Sequence, residues 1–194
     1  PPDITATTGL DALTHAVEAF IGHSTTRQTR KKAIQAVKLI FENIQEAYRD
    51  GNNMQARKNM LKAAYLAGAA FSKSYVGYVH AVAHSLGGRY NTPHGLANAV
   101  LLPVFLEAYG ETVYQKLWRL AVELGIVERR TSYAQGAGAF IEELVRLETN
   151  LKIPKTLKEI CPEDIPQLAQ YASQEANPLY PVPKLYDAEE LAMF

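Results

Sequence analysis

Helical spacing of apolar residues runs through almost the whole chain and constrains its fold more than any other feature. In the first segment, Leu10, Leu13 and Val17 recur at intervals of three and four, as residues on one face of a helix do. No stretch of the sequence shows the alternation of apolar and polar side chains that would clearly predict a strand. The sequence therefore predicts an all-α fold, a bundle of helices.

Turn and breaker residues divide this pattern into separate predicted helices. Thr7 or Thr8 could cap the start of the first, and Gly22 closes it. Gly87-Gly88 is expected to end the fourth, and Pro103 marks a kink or a break within the fifth. The predicted helices cover residues 10–21, 25–48, 54–74, 77–86, 94–109, 113–124, 133–147 and 162–176.

The composition is that of an ordinary globular protein and excludes some classes of partner. The chain has 194 residues, and 20 Lys and Arg balance 20 Asp and Glu. This zero formal charge gives no electrostatic reason to expect nucleic acid or a membrane as the main partner. No apolar stretch approaches the roughly 20 residues that cross a bilayer. The single cysteine, Cys161, cannot form an internal disulfide, which fits a cytoplasmic location. The chain begins with Pro1, so we expect its natural N-terminus to lie upstream.

The histidines are unevenly placed, and their spacing suggests a metal site. Asp11 and His15 are four residues apart and share one helix face, as do His80 and His84 further along the chain. His94 follows after a turn, at the start of the next helix. If these helices face each other, the side chains can enclose one metal ion. Nitrogen ligands with a single carboxylate suit Fe(II) or Zn(II) better than Mg or Ca.

Each part of this pattern also has a simpler explanation. A lone Asp and His four residues apart usually form a solvated or hydrogen-bonded pair, and histidines are common both in cores and on surfaces. His94 could cap a turn, and His23 fits a surface loop. Glu18 could accept a hydrogen bond behind the site, but we interpret it as an acid on the helix surface. The metal hypothesis therefore depends on the joint pattern. The sequence contains neither a dinucleotide-binding glycine fingerprint nor a P-loop.

Two long motifs carry a resemblance to a known family. Residues 8–18 read TGLDALTHAVE, and residues 77–103 read GYVHAVAHSLGGRYNTPHGLANAVLLP. The first resembles the metal-binding helix of the iron-containing (group III) alcohol dehydrogenases. The second is similar to that family's signature, GxxHxxAHxxG followed by PHGxANAxLLP. Residues 177–181, NPLYP, resemble the same family near its C-terminus.

The resemblance implies roles for individual residues. By motif position, the family's four metal ligands fall on Asp11, His15, His80 and His94. The intermediate histidine, His84, lies in the family close to metal, substrate and nicotinamide, which makes it our candidate catalytic and cofactor-binding residue. An aromatic residue upstream lines the substrate and nicotinamide cleft in the family, and Phe71 is similar to it in position.

The resemblance also implies a domain organisation. An N-terminal α/β domain binds NAD or NADP, and a C-terminal all-helical domain holds the metal, Fe²⁺ with Zn²⁺ as the alternative. Residues 1–194 are expected to be the second domain alone, a metal-binding catalytic domain that is inactive without its N-terminal half. The implied activity is interconversion of a primary alcohol and an aldehyde, and the full-length enzyme is expected to form a homo-oligomer.

Two other interpretations remain open at this point. One is a related glycerol dehydrogenase or dehydroquinate synthase-like zinc enzyme, which shares the architecture but generally has three metal ligands. The pairing of Asp11 with His15 favours the iron type. The other is a non-catalytic helical metal-binding module.

Overall fold

The computed structural model describes residues 1–158 and 160–194, and over these residues it is built from helices without strands. The all-α prediction is thereby confirmed. None of the helices in these two ranges is both long enough and apolar enough to cross a membrane. A 3₁₀ turn at Pro162–Asp164 precedes α8. The α-helices are α1 (Pro2–Ile21), α2 (Arg27–Arg49), α3 (Met54–Ser74), α4 (Tyr78–Tyr90), α5 (His94–Tyr109), α6 (Glu111–Glu123), α7 (Tyr133–Asn150), α8 (Ile165–Ala176) and α9 (Ala188–Leu191).

Helix α1 occupies the centre of the molecule. It packs against α2, α3 and α5, and its C-terminal half from Ala16 to Ile21 is buried on all sides. A helix surrounded in this way buries its polar residues together with its apolar ones. Any charged side chain in the second half of α1 therefore needs a partner inside the protein.

Helices α4 and α5 complete the wall around α1. Helix α4 packs between α5 and α8, while α6 and α7 pack against each other. Helix α5 is strongly apolar and carries the buried residues Leu102, Phe105 and Leu106. His80 lies in the first turn of α4 and His94 begins α5, so this packing brings both toward α1.

The start of α1 lies further upstream than the sequence pattern predicts. The helix begins at Pro2, where proline is well tolerated because the first turn has no use for its missing N–H. The predicted caps are wrong, because Thr7 and Thr8 lie inside the helix and donate hydrogen bonds to main-chain oxygens one turn earlier. Such back-bonding is a known alternative to capping for threonine.

Two further predicted breaks are also absent. Gly87-Gly88 does not end α4, which continues to Tyr90 and stops at Asn91 in the left-handed conformation, with φ of 55°. The extra turn is held by tertiary contacts, since the guanidinium of Arg89 forms two hydrogen bonds of 2.9 and 3.0 Å to the Asp164 carboxylate. Pro103 lies within α5, which is one helix and not two, so the break is absent and the alternative of a kink stays a prediction.

Candidate metal centre

Helix α1 presents Asp11 and His15 on one face, one turn apart, at the inner end of a cleft. The Nδ1–H of His15 donates to the main-chain oxygen of Asp11 at 3.0 Å. This hydrogen bond places the proton on Nδ1 and leaves Nε2 as the lone-pair nitrogen. The Asp11 and His15 side chains are 24% and 18% exposed, so both are reachable but largely shielded.

Helix α4 brings His80 against this pair. The ring centroids of His15 and His80 are 4.2 Å apart. Asp11, His15 and His80 each offer one ligand atom, and these three atoms lie within 4.8 Å of one another. The structure thus brings together three of the four residues predicted as ligands in one compact group.

Helix α5 adds His94 at the edge of this group. Its Nε2 lies 3.3 Å from Oδ1 of Asp11, and its ring centroid is 5.4 Å from that of His80. The side-chain amide of Asn98 donates to both Asp11 Oδ1 at 2.6 Å and His94 Nε2 at 3.0 Å. Sequence reasoning missed Asn98, although its position one helical turn after His94 was a usable signal.

The approach of α5 to α1 depends on Gly95. A Cβ atom at this position would lie 2.7 Å from the main-chain carbonyl carbon of Thr7, and it would also overlap that residue's carbonyl oxygen. Main-chain atoms cannot move aside as a flexible side chain can. The absence of a side chain at Gly95 therefore lets the two helices meet backbone to backbone beside Asp11 and His94.

The electrostatics of the cluster favour neutral imidazoles. Burial lowers the pKa of His15 from 6.5 to about 4, with a further contribution from the neighbouring His80. Burial also lowers the pKa of His94, against the opposing effect of the Asp11 carboxylate. A metal ion binds the neutral ring, so these shifts leave both side chains in their ligating form at neutral pH.

Glu18 is not a surface acid, and that interpretation is wrong. Its side chain is 2% exposed, and its carboxylate accepts hydrogen bonds from the main-chain N–H groups of Gly77 and Val79 and from Nδ1 of His80. The helical face of α1 was predicted correctly, but no pattern in the sequence indicates that the start of α4 covers it. Local periodicity does not report which element packs on a face.

His84 and Phe71 border the more open side of the cluster. His84 is 44% exposed, stacks on His94 at 5.2 Å between centroids, and donates from Nδ1 to Oε1 of Glu175 at 2.7 Å. It adjoins a pocket of about 530 Å³ between α4 and α8. Phe71 stacks on His15 with 4.2 Å between ring centroids. His23 lies apart and exposed, with Nε2 3.2 Å from the main-chain oxygen of Pro183.

The residues of the cluster fit a divalent transition metal. They supply imidazole nitrogens and one carboxylate, a donor set suited to iron or zinc. Nε2 of His80 is buried and has no hydrogen-bond partner among the residues that the structure describes. Buried polar atoms normally have partners, so an unpartnered nitrogen directed at Asp11 fits the position of a metal ligand.

Comparison with known proteins assigns the class to which this fold and cluster belong. The C-terminal model of the Fe-containing alcohol dehydrogenase family matches residues 5–192. The chain belongs to this family of oxidoreductases. It is 41% identical over 179 residues to a 1,3-propanediol dehydrogenase of Citrobacter freundii and 40% identical over 180 residues to alcohol dehydrogenase 4 of Saccharomyces cerevisiae.

The chain corresponds to one part of these larger proteins. Each of the two matches covers 91% of this chain but 46% of the relative. The crystal structure of a 1,3-propanediol oxidoreductase superposes with a TM-score of 0.94 and 38% identity, over 100% of this chain and 51% of that one. The chain thus spans about half the length of the relatives it matches, and its fold is that of their helical C-terminal domain.

Proposed function

We propose that this chain is the metal-binding catalytic domain of an NAD(P)-dependent alcohol dehydrogenase that interconverts a small primary alcohol and its aldehyde. The observation that carries the proposal is the convergence of Asp11, His15, His80 and His94 from three helices in a chain of this family. We assign these four residues as metal ligands. Iron(II), with zinc(II) as the alternative, would act there as a Lewis acid that polarises the oxygen of a bound alcohol or aldehyde.

His84 is our candidate for moving the proton of the alcohol. Its Nδ1–H is held by Glu175, which leaves Nε2 as the nitrogen that can accept a proton. Tyr180 donates to the same Glu175 oxygen at 2.8 Å, so the carboxylate is fixed from two sides. An imidazole that is half exposed beside a pocket is suited to pass a proton between substrate and solvent.

The nicotinamide cofactor requires a surface that this chain supplies in part. NAD or NADP, bound mainly by an N-terminal dinucleotide-binding domain, would accept hydride from the alcohol carbon. Phe71 and His84 flank the cluster on the side where we place the substrate and the nicotinamide ring. The flat face of Phe71 stacks on the ring of His15. The cytoplasmic location and the homo-oligomer stay predictions.

The alternatives are separated by particular observations. The match to the Fe-containing family favours an alcohol dehydrogenase over a glycerol dehydrogenase or a dehydroquinate synthase-like zinc enzyme. His94, with Nε2 3.3 Å from Asp11, would serve as a fourth ligand once its hydrogen bond from Asn98 is released, whereas those zinc enzymes generally use three. A non-catalytic metal-binding module would need neither the half-exposed His84 nor its anchoring glutamate.

The proposal predicts activity only when a dinucleotide-binding half is present. We expect the 194-residue chain, loaded with Fe²⁺, to give no NAD⁺-dependent oxidation of 1,3-propanediol, because we place most of the contacts to the cofactor on the dinucleotide-binding half. A chimera, made by fusing the N-terminal half of the 1,3-propanediol dehydrogenase from Citrobacter freundii to this chain, should oxidise 1,3-propanediol. The measurement is NADH absorbance with purified proteins.

Two results would contradict this expectation in different ways. Sustained turnover by the chain alone would overturn the half-enzyme interpretation. A folded chimera that binds NAD⁺ and metal but reduces no NAD⁺ with a series of primary alcohols would overturn the catalytic assignment. The N-terminal half alone serves as the control for background activity.

His84→Ala in the same chimera should separate proton movement from metal binding. We expect metal content to stay unchanged while kcat falls by about 10²- to 10⁴-fold, the usual range for loss of a general acid–base group. His23→Ala is the matched control, because His23 lies outside the cluster. Elemental analysis beside steady-state kinetics makes the measurement. Loss of the metal from the His84 variant would mean that this residue is a ligand instead.

A further inference from the structure

The carboxylate of Glu18 links α1 to the beginning of α4. Oε2 accepts from the main-chain N–H of Gly77 at 2.9 Å, and Oε1 accepts from that of Val79 at 3.0 Å. Oε2 also accepts from Nδ1 of His80 at 2.6 Å, the shortest of the three. The two N–H groups lie at the N-terminal end of a helix, where a negative charge is favourable. This arrangement explains how a carboxylate is tolerated at 2% exposure.

The third of these hydrogen bonds has a consequence for the imidazole of His80. A carboxylate only accepts, so Nδ1 carries the proton, and in the neutral ring Nε2 then carries the lone pair. Nε2 points to the cluster, 3.8 Å from Oδ1 of Asp11, and is the buried nitrogen without a hydrogen-bond partner among the described residues. The protein therefore presents a lone pair of fixed direction where we place the metal.

Gly77 makes room for this contact. A Cβ atom on Gly77 would lie 2.7 Å from Oε1 of Glu18 and 3.2 Å from its carboxyl carbon. The backbone at Gly77 has φ of −139°, which any residue can adopt, so glycine is required for space and not for conformation. Only a residue without a side chain lets the carboxylate reach both N–H groups and the ring.

We propose that Glu18, seated against Gly77, is the positioning residue for His80: it fixes the proton on Nδ1, aims Nε2 at the cluster, and thereby raises the affinity of the site for a divalent metal. The metal clause of this proposal rests on the proposed function. A carboxylate behind a ligating imidazole orients the ring and increases its basicity, and removing such a partner typically lowers metal affinity by about 10- to 100-fold. A mere cap for α4 would need the two main-chain contacts but not the third.

The first experiment measures the tautomer of His80 in metal-free protein. Nitrogen-15 NMR of the histidine rings, assigned with His80→Gln, distinguishes a proton on Nδ1 from one on Nε2. We expect the Nδ1–H form in the wild-type chain and a mixture in Glu18→Gln, whose amide cannot accept from all three donors at once. An Nε2–H form of His80 in the wild-type chain would overturn the proposal, and this readout needs no variant of Glu18 that folds.

The second experiment measures metal affinity with Co²⁺ as the probe, in competition with a chelator. Glu18→Gln and Gly77→Ala should each weaken binding by about 10-fold or more, and they should alter the visible Co²⁺ spectrum in the same way. Gly77→Ala keeps the negative charge of Glu18 but displaces its carboxylate. If both variants weaken binding alike, the hydrogen bond from His80 to Glu18, and not the charge alone, supports metal affinity. Glu107→Gln, an exposed glutamate on α5, is the control.

Unchanged Co²⁺ affinity in both folded variants would overturn the proposal while leaving the metal site intact. A wild-type chain that takes up no Co²⁺ would instead overturn the proposed function. In that case the tautomer measurement, made without metal, still decides for or against the contact between Glu18 and His80.

Discussion

Replacing His94 by alanine should abolish retention of the metal by this chain. His94 is the ligand candidate whose side chain is most exposed, at 42%, so its loss leaves the core intact. The remaining residues, Asp11, His15 and His80, keep their compact arrangement but lose the donor from α5. Since loss of a residue behind a ligand already costs about 10- to 100-fold in affinity, loss of a ligand should exceed that range. The measurement is metal per chain by elemental analysis after extensive dialysis.

His94 is a better choice for this test than His80. Removing His80 would leave the buried Glu18 carboxylate without its shortest hydrogen bond, which invites unfolding for reasons unrelated to metal. His23→Ala is the matched control, because it removes an imidazole far from the cluster. Metal at full stoichiometry in the dialysed His94 variant would exclude His94 as a ligand.

Replacing Glu148 by glutamine should remove a pH-dependent loss of stability. Glu148 lies on α7, buried, with Oε1 unpaired among the described residues, and burial raises its pKa from 4.5 to about 8. The folded protein therefore keeps this proton up to about pH 8, whereas the unfolded chain releases it near pH 4.5. Unfolding releases a proton between these values, so stability is highest below the lower pKa and falls as pH rises through the window.

The expected difference between the two proteins is large. The free energy of unfolding of the wild type should fall relative to Glu148→Gln by roughly 1.4 kcal/mol for each pH unit between about 5 and 8. Urea unfolding of both proteins across this range measures it, and the comparison cancels the titration of the histidines. Glu142→Gln, an exposed glutamate on the same helix, should run parallel to the wild type. Parallel curves for Glu148→Gln would show that Glu148 is ionised in the folded protein at neutral pH.

The sequence was most informative where function depends on local spacing. Asp11 and His15 share a face because a helical turn separates them, and the structure places them together with His80. The all-α class followed from periodicity for the same reason. The predictions were wrong where a tertiary contact outweighs a local conformational preference. Gly87-Gly88 is expected to end a helix, but the pairing of Arg89 with Asp164 holds one more turn of α4.

The residues behind the cluster could not be predicted in this way. Glu18, Asn98 and Glu175 each contact a histidine on another element or one turn along the same one. Their roles depend on which helices pack together, and a hydrophobic pattern does not contain that information. Glu18 illustrates the difficulty, because a glutamate in a helical pattern is ordinarily exposed and only the covering N-terminus of α4 makes it buried.

The positions of the candidate ligands are set in two ways, by main-chain contact between helices and by side-chain hydrogen bonds. Substitutions can alter the second more readily than the first. The approach of α1 to α5, the helices that carry Asp11 and His94, is set by main-chain contact at Gly95, while the Asn98 amide joins the two side chains. His80 is held by a side chain and not by a backbone contact. Attempts to retune the metal preference of this scaffold should therefore begin at Glu18 and Gly77, because a side-chain substitution cannot bring two main chains closer when they already touch.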